Sequence, residues 1–224
     1  MRHFRQRLAA GLDIMEIAVS PDGLERLSLY FQELKKWSKK LNLIARSASD
    51  EQIIENHFLD SLTLLPLLRC GTVHLLDIGT GAGFPALVCK AVSPEILVTL
   101  VEPRLKRVSF LGYIVRTLDL PGVKILSCRA EDETQLPAAN TFTHITARAV
   151  TDLGALLQMV ERFSSPASQL ICMKGPRWQE ELAAAEDILA RSAFTLERVV
   201  HCTLPFSGAE RSLVLFKSKT ENLN

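Results

Sequence analysis

The sequence predicts an α/β fold: a seven-stranded, mostly parallel sheet with one antiparallel strand, covered by helices and led by an N-terminal helical extension. Three observations predict it. Apolar residues recur at helical spacing up to Leu68, short apolar runs alternate with helical stretches from Val73 onward, and no helix separates the last two runs. Residues 1–68 are therefore read as the helical extension and residues 69–224 as the α/β domain.

The extension opens its clearest helix at Ser20-Pro21, an N-cap followed by proline at the first helical position. Leu24, Leu27, Phe31, Leu34 and Leu41 then form one apolar stripe, and Ile53, Ile54, Phe58, Leu62 and Leu65 form a second, ending near Pro66. Strands are predicted at 73–78, 96–102, 123–128, 142–147, 169–173, 194–201 and 212–217, and helices at 85–92, 105–118, 152–163 and 179–191. Strand–helix alternation implies parallel pairing with both faces covered. Pro205 and Gly208 in the final connection predict an antiparallel hairpin, and the residues from Ser218 on read as a frayed tail.

Composition narrows the function classes. Apolar residues make up 47% of the 224 positions, which excludes disorder, and the net charge of +1 means that any nucleic-acid partner must meet a local basic patch. Cys70, Cys89, Cys128, Cys172 and Cys202 include no CxxC pair, so zinc-ribbon and thioredoxin chemistry are not expected, and no metal is. An odd set of thiols among apolar neighbours suits a reducing compartment. Asp13 and Glu16 interrupt the apolar stretch behind the basic N-terminus, and no long apolar run follows elsewhere. Neither a signal peptide nor a membrane span is expected, and the expected location is the cytoplasm.

The sharpest motif is Asp77-Ile78-Gly79-Thr80-Gly81-Ala82-Gly83-Phe84-Pro85, between the first strand and its helix. Glycines there let the backbone take positive φ and let a ligand approach closely. The dinucleotide fingerprint needs a third glycine where Phe84 stands, and no Lys-Ser/Thr follows to make a P-loop. The form resembles motif I of S-adenosylmethionine-dependent methyltransferases, whose cofactor has an amino-acid tail, a ribose and an adenine. Glu102, at the end of the second strand, is the candidate acceptor for the ribose hydroxyls, and Ala130-Glu131-Asp132 the candidate adenine turn.

Taken with Glu102-Pro-Arg-Leu-Lys-Arg, Arg129-Ala-Glu, Ala147-Arg-Ala, Asn42-Leu43, His57-Phe-Leu-Asp-Ser-Leu, Met173-Lys-Gly and Gly208-Ala-Glu-Arg-Ser-Leu-Val, the chain resembles the glucose-inhibited division protein B family, also called ribosomal RNA small subunit methyltransferase G. The resemblance covers roughly residues 25–217. It implies a class I methyltransferase (Rossmann-like) sheet and methyl transfer from S-adenosylmethionine, leaving S-adenosylhomocysteine, to N7 of a guanine in 16S small-subunit ribosomal RNA. The partner it implies is that RNA, within the 30S subunit or an assembly intermediate, with no obligate protein partner. It carries cofactor roles onto Gly79, Phe84, Glu102, Pro103, Arg104, Ala130, Glu131 and Arg148, beside Asp77, Gly81 and Gly83 of the turn. Ala86 and Ile44 stand where the family often has Gly and Thr, and residues 3–20 have no obvious counterpart.

The chemistry agrees by elimination. There is no Pro-Cys for attack on pyrimidine C5 and no Asp/Asn-Pro-Pro-aromatic loop after the fourth strand, where Ala147-Arg148-Ala149-Val150 stands. Guanine N7 carries a lone pair and no proton, so positioning suffices and no catalytic general base is expected. Arg148 is the candidate positioning group, and His57 is expected to pack between extension and sheet rather than act as a base. For RNA contact the candidates are Lys35, Lys36, Lys39, Lys40 and Arg46, a stretch without acids, and Lys106, Arg107, Lys174 and Arg211. The target guanine is expected flipped or in a loop. A methyltransferase for another RNA, a small molecule or a protein, and a non-catalytic RNA-binding module, remain open alternatives; a dehydrogenase is weakened by Phe84.

Overall fold

A computed structural model describes residues 2–68, 71–136, 142–148 and 151–219. Cys70, Ala149, Val150 and the tail beyond residue 219 lie outside the described residues. The seven strands are β1 (His74–Ile78), β2 (Leu97–Val101), β3 (Val123–Leu126), β4 (His144–Arg148), β5 (Gln169–Lys174), β6 (Phe194–Thr203) and β7 (Glu210–Ser218), in the order β3-β2-β1-β4-β5-β7-β6. β1 pairs in parallel with β2 and β4, and only β7 runs against its neighbours β5 and β6. Every predicted strand is present. The order reverses between β2-β1 and β4-β5, so the carboxyl ends of β1 and β4 flank the crevice where open α/β sheets bind ligands.

Period-two alternation sorts the strand residues between two cores. Leu75 of β1, Ile171 and Met173 of β5, and Leu213 and Leu215 of β7 pack into one core; Leu76, Ile78, Ile145, Ala147 and Cys172 pack into the other. The first core is closed by α1 (Arg2–Ile14), α2 (Pro21–Ser38), α3 (Asp50–Ile53), α4 (Asp60–Leu62), α5 (Ala86–Val92) and α6 (Leu105–Thr117). The second is closed by α7 (Leu153–Val160), α8 (Trp178–Ala184) and α9 (Glu186–Arg191).

Two local expectations are corrected. The second helix of the extension is not uniform: α3 runs into a π-helical turn, Ile54–Leu59, before α4, with a 3-10 turn at Leu65–Leu68. The helix predicted over 179–191 is broken at Ala185, which is 2% exposed and packs 3.7 Å from where a Cβ at Gly154 of α7 would lie. Residues 3–20, without a counterpart in the resemblance, hold most of α1 (Arg2–Ile14), whose Phe4, Leu8 and Leu12 are buried, with Phe4 stacked on Phe31 at 4.4 Å.

Candidate active site at the carboxyl ends of β1, β2 and β4

The turn after β1 needs its glycines: Gly79, Gly81 and Gly83 have φ of 65°, 63° and 96°. Asp77 anchors it. One carboxylate oxygen accepts from Thr80 Oγ1 at 2.7 Å and from the Ala86 N–H at 3.1 Å, which ties β1 to the start of α5. The other oxygen, Oδ1, is buried and has no hydrogen-bond partner among the described residues. Burial outweighs the hydrogen bonds from Thr80 and Ala86 and pushes the Asp77 carboxyl up to about 7.

Glu102 follows β2 and is 2% exposed. It accepts from the Gly81 N–H at 3.1 Å and the Arg104 N–H at 2.9 Å, with Arg107 Nη1 at 3.4 Å. The acid and the glycine turn thus meet directly. Pro103 and Arg104 are exposed beside it. Ala130 is buried and Glu131 is exposed; the Ala130 carbonyl accepts from Arg162, which also reaches the Leu136 carbonyl at 2.5 Å.

The turn leans on the extension. Phe84 stacks parallel to Tyr30 of α2 at 5.7 Å and meets Phe58 edge-on at 5.5 Å and His57 at 4.9 Å. Tyr30 Oη donates to the Ala82 carbonyl. A Cβ at Gly83 would sit 2.3 Å from that hydroxyl, so Gly83 serves the packing of Tyr30, whereas a Cβ at Gly81 would meet only Arg107 Nη1 at 3.8 Å and the Gly79 carbonyl at 3.9 Å, ordinary contacts. Sequence reasoning missed Tyr30; its place in the apolar stripe of α2 was the available signal.

Arg148 ends β4 on the same face as Thr146, opposite Ala147, and turns toward the extension. Its guanidinium donates to the Asn56 carbonyl at 2.8 Å, to Asp60 Oδ2 at 3.0 Å and to His57 Nδ1 at 3.2 Å. An arginine can only donate, so Nδ1 is the acceptor and the His57 proton lies on Nε2. Burial and the Arg148 charge lower His57 to about 4, so it is neutral near pH 7 and bridges extension and sheet. Arg148 therefore does not stand free toward a cofactor. Asp60 also went unflagged.

The basic candidates divide. Lys35 pairs with Asp50 at 2.5 Å and Lys36 with Glu33, so two of the five cations of the acid-free stretch are neutralised from outside it. Lys174 pairs with Glu181 at 2.6 Å and Arg211 with Asp60 at 2.8 Å. Among the described residues, Lys39, Lys40, Arg46, Arg104 and Lys106 have no ion-pair partner. Lys40, Arg46, Arg104, Lys106 and Arg107 line one cavity of about 580 Å³ between the end of α2 and the start of α6, with no acid in its lining.

Cys89, Cys128 and Cys172 are buried free thiols and Cys202 is half-buried. Burial pushes Cys172 up to about 12 and Cys89 higher still, so neither is a nucleophile near neutral pH.

Residues 23–214 match the family model described as GidB, rRNA small subunit methyltransferase G. The ribosomal RNA small subunit methyltransferase G of Desulfotalea psychrophila is 54% identical, over 96% of this chain and 98% of its own. That of Syntrophotalea carbinolica is 36% identical, over 96% and 98%. Among solved structures, precorrin-6y C5,15-methyltransferase from Geobacter metallireducens shares the fold, with TM-score 0.54 and 13% identity, covering 78% of this chain and 92% of that one.

Proposed function

This chain belongs to the rRNA small subunit methyltransferase G family, and we propose on that premise that it transfers the methyl of S-adenosylmethionine to N7 of a guanine in 16S ribosomal RNA. The observation that carries the reading is the contact between the Gly79–Gly83 turn and Glu102 in a chain that matches this family over most of its length.

The residues fit the cofactor. The buried, partnerless Oδ1 of Asp77 suits the ammonium of an amino-acid tail, which would also hold the carboxylate charged. Gly81, with φ of 63° and no atom nearer than 3.8 Å to where a Cβ would lie, suits close approach of a ligand. Glu102 keeps lone pairs beyond its two backbone donors and suits the ribose hydroxyls. Ala130 and Glu131 are the proposed adenine turn, with Pro103 and Arg104 closing the ribose end. Asp77, Gly79, Gly81, Gly83 and Phe84 complete the proposed cofactor set; Arg148, which the resemblance also puts there, is already bonded to Asp60 and the Asn56 carbonyl and is read instead as serving the target side.

When bound, the cofactor supplies a sulfonium-activated methyl group. The chain's own work is positional: Phe84, packed against Tyr30 and His57, keeps the turn fixed and water out. No side chain needs to take a proton, because guanine N7 has none to lose. His57, lowered to about 4 and already bonded to Arg148, is poorly placed to act as a base.

For RNA, the acid-free groove of Lys40, Arg46, Arg104, Lys106 and Arg107 suits phosphates. Lys39 flanks it. Lys35, Lys36, Lys174 and Arg211, already paired, contribute less phosphate affinity. The proposed substrate form is the 30S subunit or an assembly intermediate in the cytoplasm; no helix among the described residues is long and apolar enough to cross a membrane. Transfer of labelled methyl from S-adenosylmethionine to unmodified small-subunit RNA, with the product base identified, tests the reading. No incorporation, or incorporation at another atom, would overturn it.

A further inference from the structure

We propose that Asp60 is a positioning residue that sets the target-base pocket by holding Arg148 and Arg211 as a pair. This role rests on the guanine-N7 reading above. Asp60 is 4% exposed, and each of its oxygens takes one arginine: Oδ2 from Arg148 Nη1 at 3.0 Å and Oδ1 from Arg211 Nε at 2.8 Å. The two arginines lie on β4 and β7, which are not neighbours, because β5 stands between them. Pairing of Lys174 with Ser212 brings Arg211 to the carboxyl end of β5, and strand parity puts it on the same face as Arg148. No ladder bond joins β4 to β7. One carboxylate, carried by the N-terminal extension, is the part that fixes the distance between the two guanidinium groups.

The local helix is wound for this purpose. In the π-helical turn Ile54–Leu59, the Asp60 N–H bonds to the Glu55 carbonyl, five residues back, instead of to Asn56. The Asn56 carbonyl is thereby left to accept Arg148 at 2.8 Å. Such π turns occur frequently at functional sites.

Asp60, Arg148 and Arg211 line a cavity of about 520 Å³ at the ends of β4 and β5. Its basic residues Arg148, Lys174, Arg177 and Arg211 are matched by Asp60, Asp152, Glu180 and Glu181. A charge-balanced cavity suits an uncharged base with donor and acceptor edges, whereas the acid-free groove near α6 suits phosphates. Both Asp60 oxygens are occupied, so it acts through the arginines and not on the base itself.

The test is Asp60→Asn, which keeps the shape and removes the charge. Labelled-methyl transfer to unmodified small-subunit RNA is measured with the full chain, beside cofactor affinity by calorimetry. Weakening a charge-assisted contact predicts that kcat falls about tenfold to a hundredfold, with S-adenosylmethionine affinity unchanged. A wild-type kcat, or a parallel loss of cofactor affinity, overturns the role. Arg211→Gln, at the half-buried pocket edge, keeps the proposal falsifiable if Asp60→Asn does not fold: it predicts a lowered kcat with cofactor affinity intact, and an unchanged kcat overturns the role. In the double variant the losses should not multiply, since both changes break one link; independent losses overturn it. A wild-type protein that methylates no guanine overturns the parent reading and this role with it, whereas Asp60→Asn at full activity overturns this role alone.

Discussion

Replacing Gly83 by Ala tests the coupling between the extension and the glycine turn. Two costs are readable from the structure. Gly83 has φ of 96°, outside the ordinary range of L side chains, which costs about 1–3 kcal/mol. Its new Cβ would lie 2.3 Å from Tyr30 Oη and 2.7 Å from Leu87 Cδ1, and such overpacking costs about 1–3 kcal/mol more. A destabilisation of about 3 kcal/mol corresponds to a fall in melting midpoint of roughly 6–12 °C for a chain of this size. Thermal melts by circular dichroism read it directly. Tyr30→Phe removes the hydroxyl that the methyl group meets, at the cost of its bond to the Ala82 carbonyl. The double variant should therefore be more stable than the sum of the two single losses, with a coupling of about 0.5–3 kcal/mol. A Gly83→Ala protein melting within a degree of wild type, or strict additivity with Tyr30→Phe, would refute the packing argument.

Three further outcomes follow from the same geometry. Glu102→Gln leaves one backbone N–H facing an amide donor and weakens the ribose acceptor, so S-adenosylmethionine affinity should fall about tenfold to a hundredfold by calorimetry; unchanged affinity removes Glu102 from the site. Replacing Lys40, Arg46 and Lys106 by Ala should flatten the slope of log affinity for single-stranded RNA against log salt by about 2, while replacing the paired Lys35 and Lys36 should change it much less; equal effects would discard the groove. His57, held at about 4 in the fold against 6.5 unfolded, contributes stability that is full above pH 6.5 and lost as pH falls toward 4. Asp77, raised to about 7, works in the opposite direction, so the comparison must be made between variants. The stability difference between wild type and His57→Gln should shrink by up to about 1.4 kcal/mol per pH unit between pH 6.5 and 4, and a pH-independent difference in urea melts would contradict the neutral, buried His57.

The strands were legible because short apolar runs and glycine turns are local signals, and the antiparallel β7 followed from the missing helix before it. Asp77 and Glu102 were legible because the turn demands glycine and the neighbouring parallel strand ends beside it. The π-helical turn was not, because winding a helix one residue wide leaves no mark in Ile-Glu-Asn-His-Phe-Leu, and the Asn56 carbonyl it frees is taken by Arg148, far away in sequence. The break at Ala185 lies in a run of strong helix formers, and the buried Ala185 faces Gly154 of α7, a tertiary contact that the local sequence does not carry. The partners of Lys35 and Arg211, Asp50 and Asp60, lie on other elements, so a count of local charge overstated the free basic surface. Strand parity did carry one unused clue: Arg148 alternates with Ala147, which places it on the face that the extension covers.

The most direct measurement is mass mapping of small-subunit ribosomal RNA from cells lacking this gene, before and after incubation with the purified protein and S-adenosylmethionine. The account predicts that a guanine gains one methyl group, at N7. Methylation at another atom, or none by a protein that still binds the cofactor, would contradict it.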